Sequence, residues 1–406
     1  MGKWHRKNLG TICHLAYGKN LPTTLFTSEG FKVFGANSII GYYSKYTHED
    51  AEVLVSCRGE YSGVINFSEP KSYITNNSIV CILKLDLDKR FLFYALKNIP
   101  RQTFVSGSAQ PQVVIQDLEN IELYYPESKP EQTRIAQILS TIDRAIAQTE
   151  ALIAKCQRIK TGLMQDLLTR GIDEHGRIRS KATHRFVVKN GIEVPEEWEV
   201  RELGTLCEMK GRIGWQGYTV NDLSDDASDP TVIGGTQISK EHKLDFTKPV
   251  YLKRQKYLEA PEIFVKYGDI VLVKTGNTIG KTALIDQKIG DATINPNTVI
   301  LRDFKDITNR FLYLVMISEY FQKSLWDFVF VGAQPSVNQT NMKTIKIPLP
   351  NPNEQIKIAG TFFALTNQIE AERIKLSKLQ SLKTGLMQDL LSGRVRVKVK
   401  EEAADC

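Results

Sequence analysis

The stretch Thr275-Gly-Asn-Thr-Ile-Gly280-Lys281-Thr282 follows an apolar run and has the composition of a glycine loop that cradles a nucleotide phosphate. Its spacing is wrong. Such a loop needs four residues between its first glycine and the Gly-Lys pair; Gly276 to Gly280 leaves three, and Ala283 to Gly290 is too short for the helix that must follow. A glycine-rich hairpin turn is the expectation. Glu241-His-Lys243 and Asp303-Phe-Lys305 supply the acid-x-Lys of many nucleases, a pattern too short to carry a reaction. Asn295-Pro-Asn297 reads as a turn and lacks the residues needed to methylate a base amino group. No two histidines have metal-ligand spacing. The six cysteines, at 13, 57, 81, 156, 207 and 406, form no Cys-x-x-Cys pair and suit buried reduced thiols. Catalysis by this chain has no support in these residues.

The elements that could hold a binding site are more informative. With 406 residues, 42% hydrophobic and 24% charged, the chain is globular and long enough for two or three domains. No apolar run approaches the ~20 residues that span a bilayer, and the basic start Met1–Arg6 precedes no apolar stretch, so a cytoplasmic protein is expected. The net charge of +7 mildly favours a polyanionic partner.

The chain is written twice. Lys160-Thr-Gly-Leu-Met-Gln-Asp-Leu-Leu168 returns as Lys383 to Leu391, and at the same shift Glu131-Gln132…Ile135-Ala136 returns as Glu354-Gln355…Ile358-Ala359. Ala109-Gln110-Pro111 matches Ala333-Gln334-Pro335, Arg58-Gly59…Gly63 echoes Thr275-Gly276…Gly280, and Trp4…Leu9-Gly10 matches Trp198…Leu203-Gly204. The second copy carries roughly thirty extra residues between these blocks.

Between the globular parts, apolar residues from Glu131 to Leu168 fall at 135, 138/139, 142, 145/146, 152/153, 156, 159 and 163. The second copy places Ile358, Phe362, Leu365, Ile369, Leu376, Leu379, Leu382 and Leu386 likewise. Thr149 and Glu372 interrupt the stripes at equivalent positions. Such narrow stripes, on helices ~55 Å long at 1.5 Å per residue, suit one long helix packed on another. The partner is either the other copy, in an antiparallel pair, or a second chain.

Residues 1–128 and 191–350 read as short strands with a few helices, joined by a helix over 129–170 and a linker over 171–190. A second helix over 351–392 and a tail over 393–406 follow. Glu52–Ser56, Ser78–Leu83, Asp269–Val273 and Thr298–Leu301 are the β-rich runs; Phe91–Ile99 and Asn309–Phe321 look helical; Arg394–Lys400 alternates like an edge strand or is a disordered tail. The fold class expected is α+β: two mixed α/β domains joined by two long antiparallel helices in a coiled coil, with a pseudo-twofold internal repeat.

This order of parts, with Gly107-Ser-Ala-Gln-Pro111, Val331-Gly-Ala-Gln-Pro335, Gly268–Gly276, Pro195-Glu-Glu-Trp198 and the doubled Lys-Thr-Gly-Leu-Met-Gln-Asp-Leu-Leu, closely resembles type I restriction-modification specificity subunits. The resemblance covers nearly the whole chain. It implies two target-recognition domains, each reading half of a split, asymmetric site in double-stranded DNA, with the helices fixing the gap. It also implies two methylation subunits that use S-adenosylmethionine on adenine and two ATP-driven, Mg-dependent motor/restriction subunits. The chain itself would need no cofactor and perform no catalysis. Family likeness does not supply base-contacting residues, so turn location and donor chemistry select Arg58, Gln110 and Gln112 in the first domain. They select Arg212, Lys274, Asn277, Lys281, Gln334 and Asn338 in the second. Tyr42, Tyr43 and Trp215 are candidates for packing on sugar or bases, or in the core. Ser56-Cys57-Arg58-Gly59 against Lys274-Thr275-Gly276 makes the two readers differ. The rival reading is a coiled-coil scaffold carrying two domains for ligands other than DNA, whose binding would not decline with salt.

Overall fold

The computed structural model describes residues 3–107, 110–211, 217–330, 332 and 334–398. The chain forms two compact units, one of residues 1–153 with 372–406 and one of residues 154–371. Each unit therefore owns one globular part and a part of each long helix, a division that the linear reading of six successive segments does not express.

In the first unit an antiparallel sheet has the order Cys13–Tyr17, Ser78–Leu83, Val53–Ser56, Ile65–Phe67. Its central strand is an unbroken apolar run because both faces are covered. Val53 and Val55 join Ile79, Cys81 and the helix Lys89–Lys97 in the main core, while Leu54 packs with Phe34, Ile74 and Val80 on the other side. A small mixed sheet, Ile39–Tyr43, Phe31–Phe34, Tyr73–Ile74, flanks it, and Trp4–Asn8 pairs with Glu122–Pro126.

The second unit repeats the plan. Its main sheet runs Glu208–Gly211, Thr298–Arg302, Ile270–Val273, Thr282–Leu284, and Glu199–Glu202 pairs with Lys346–Leu349. Ile270 and Leu272 face one core, Val271 and Val273 the other. Most of its extra length falls between Gly211 and Ile270, including three strands of a four-stranded mixed sheet. The helix expected over Asn309–Phe321 is two, Asn309–Met316 and Glu319–Trp326, because Ser318 interrupts it and caps the second by accepting from Phe321 N.

The long helices are Lys129–Thr169 and Pro352–Leu391. Their inward stripes follow alternating steps of three and four, through 139, 142, 146, 149, 153, 156, 160, 163 and 167 in the first, repeated 223 residues on. This corrects two positions. Ile159 and Leu382 are 47% and 50% exposed, and Lys160 and Lys383 take their places. Each lysine lays its stem along the stripe and gives its ammonium a partner, the Phe362 ring at 4.6 Å for Lys160 and the Asp143 carboxylate for Lys383. In the first unit Asp143 pairs with Lys383, and Glu131 with Arg396 of the tail.

The repeated Glu-Gln is structural. Gln132 receives Asp88 N and donates to Pro126 O; Gln355 receives Thr308 N and donates to Pro350 O, tying each helix start to the globular part before it. Glu354 is buried and accepts from Ile172 N, both Arg179 Nη atoms and Trp198 Nε1. Glu131 accepts two bonds of 2.6 Å from Arg396. Gly171 and Gly393, both at positive φ, end the two helices against Trp198 and Trp4 respectively. The linker and the tail thus do the same work in different units. Over its described residues the tail is not the edge strand expected: Arg396 is held by Glu131 and Val397 packs on the core. Within the linker Arg179 is buried, and the strand Phe186–Lys189 pairs with Ile192–Pro195.

Candidate nucleic-acid interface

In the first unit the strand Val53–Ser56 leaves the sheet into Cys57-Arg58-Gly59 and turns back at Gly63. The turn closes through Gly63 N to Ser56 O at 2.7 Å and needs positive φ at Gly59 and Gly63, +75° and +81°. A second loop meets it. Ser106 and Gln112 exchange backbone bonds of 2.9 and 2.8 Å, while Gly59 N and Ser62 Oγ both donate to Pro111 O and Val113 N donates to Cys57 O. Arg101 Nε holds the turn from behind through Ser62 O at 3.0 Å. Arg58, Gln110 and Gln112, distant in sequence, emerge exposed on one platform.

The second unit builds the same platform in its backbone bonds. Gly280 N donates to Val273 O, Gly276 N to Pro335 O and Val337 N to Lys274 O, and Phe330 and Ser336 exchange bonds as Ser106 and Gln112 do. Even the support beneath is repeated, Lys274 N to Asn297 O matching Cys57 N to Asn77 O. The segment with phosphate-loop composition is thus a hairpin turn between two strands, as its spacing requires.

The selected side chains separate here. Asn277 and Gln334 are exposed on this platform. Lys274 is half-buried, burial holds its pKa below the usual lysine value, and among the described residues its ammonium has no hydrogen-bonded acceptor. Lys281 points inward, donating to Gly235 O at 2.8 Å and Ile238 O at 2.5 Å, and so fastens a neighbouring turn. Asn338 caps the helix Gln339–Lys343 by accepting from Thr340 N. Arg212 and Trp215 lie outside the described residues. Tyr42 is 39% exposed, whereas Tyr43 packs edge-on against Tyr73. The acid-x-Lys at 241–243 is accounted for structurally: Lys243 pairs with Glu370, and His242, its pKa lowered by burial, accepts from Thr282 N. Cys13, Cys57, Cys81, Cys156 and Cys207 are buried and free.

Three residues of the platforms carry no sequence signal. Arg101 and Ser62 are ordinary polar residues until the turn packs on them, and Phe330, 76% exposed, sits in a segment rich in apolar residues that suggests core.

The model of the type I restriction modification DNA specificity domain matches residues 1–158 and 195–381, one match for each copy of the repeat. The chain belongs to that family. The type I restriction enzyme MjaVIII specificity subunit of Methanocaldococcus jannaschii is 28% identical over 77% of this chain and 71% of its own. A putative type I restriction enzyme specificity subunit of Haemophilus influenzae is 25% identical over 90% and 88%. Among solved structures, a type I restriction-modification S subunit from M. genitalium shares the fold, with a TM-score of 0.65 and 17% identity over 98% and 97% of the two chains.

Proposed function

We propose that this chain is the sequence-reading, non-catalytic subunit of a type I restriction-modification complex, recognising a bipartite, asymmetric site in double-stranded DNA. It would direct adenine methylation and ATP-dependent restriction by two methylation and two motor/restriction subunits, on which S-adenosylmethionine, ATP and Mg are used. One observation carries the reading: the same clamped turn is built twice, presenting Arg58, Gln110 and Gln112 in one unit and Lys274, Asn277 and Gln334 in the other. Rigid turns with divergent amide and guanidinium donors suit base-edge recognition, where each good bidentate contact contributes ~1–3 kcal/mol of discrimination. The doubled scaffold imitates the two-fold symmetry of a dimeric reader within one chain, and different side chains make the target non-palindromic. The stripes along the helices support a coiled-coil pair whose length sets the gap between half-sites.

The test is modification mapping. A host carrying the chain with its methylation subunits should show methylated adenines in one split motif, absent when the chain is deleted; unchanged methylation would refute the proposal.

A further inference from the structure

The two platforms differ at the root of the clamped loop. Phe330 occupies the place of Ser106, at the root of the clamped loop, exchanging backbone bonds with Ser336 as Ser106 does with Gln112. Its ring is 76% exposed, although nearby Phe311 and Phe321 are fully buried. A Cβ at residue 332 would stand 3.3 Å from the edge of the ring, so the glycine there leaves the phenyl room. Most of the residue faces solvent. Beside it, the Gly276 turn presents Asn277 and the half-buried Lys274, an ammonium suited to an anionic partner.

An exposed planar ring next to a cation and amide donors matches the requirement for stacking on a nucleobase or wedging at a base step. We infer that Phe330 is a stacking residue of the second reader, inserted against the bases of its half-site, and that the first reader, with Ser106, has no counterpart there. The inference rests on the DNA-reading function proposed above. Trp326 and Phe328, 48% and 37% exposed, extend the apolar surface, so a protein partner is the competing occupant that the test must separate.

The experiment uses the full chain assembled with its methylation subunits and duplexes containing the methylated motif, with 2-aminopurine placed in turn at each position of either half-site. Wild type should change the probe's fluorescence at one step of the half-site assigned to the second unit. Phe330→Ala should abolish that change and weaken binding about tenfold, the scale of one base–aromatic stack, while Phe330→Trp retains both. Signals from the other half-site should be unaltered. If Phe330→Ala reads the motif with wild-type affinity and fluorescence, or lowers recovery of the methylation subunits with the probe unchanged, the inference is overturned while DNA reading stands. If the wild-type complex prefers no motif, the functional proposal itself falls. Melting temperature should not differ among the variants, since the ring is exposed.

Discussion

Lys274 and Lys281 stand seven residues apart on the same glycine turn and have opposite roles. Lys281 satisfies two backbone carbonyls, so Lys281→Met should leave them unpaired and lower stability by ~1–3 kcal/mol in denaturant unfolding. Lys274 has no such duty among the described residues. Lys274→Met should leave stability within ~0.5 kcal/mol of wild type but weaken DNA binding, reducing the slope of log affinity against log salt by about one. A Lys274 variant with an unchanged slope, or a Lys281 variant as stable as wild type, would reverse the assignments. Both lysines have the same donor chemistry in sequence, and no local pattern distinguishes them. What separates them is the turn at 234–238, brought within reach of Lys281 by the tertiary fold. Asn338 illustrates the same limit: a polar residue after a turn looks like a donor to a ligand, yet it is engaged in capping the next helix.

At the scale of elements, the sequence was most legible where periodicity is long. The two long helices begin and end within a few residues of the expected limits, and Ser78–Leu83 is a strand at its expected ends. The stripe failed at 159 and 382, where apolar leucine and isoleucine outrank lysine by type although strict alternation favours the lysines. The linker and tail were legible only as polar segments, because their function depends on one buried arginine and one tethered arginine meeting glutamates over 170 residues away. Removing one partner of a buried ion pair strands the other charge, so Arg179→Met should cost ~3–5 kcal/mol. Arg396→Met should cost less, because that guanidinium is 21% exposed against 8% for Arg179. Equal losses in calorimetry would show that burial does not decide the difference.

For the whole molecule, the repeat predicts two copies of one domain, since five blocks recur in one order. It did not reveal that each compact unit takes a part of each helix, because cooperation between residues 1–153 and 372–406 leaves no local trace. The proposed function makes each unit a separable reader. Replacing only the clamped loops of the first unit, residues 57–63 and 106–112, should alter one half of the methylated motif and leave the other half and the gap intact. Inserting one heptad into each long helix should instead change the gap or prevent assembly.

The central claim, two different readers built on one scaffold, is tested most directly by sequencing methylated adenines across a host genome with the wild-type chain and with the first-unit loop exchange. The account predicts one split, asymmetric motif for the wild type and a change confined to one half for the exchange. A palindromic motif, a contiguous one, or a change in both halves would contradict it.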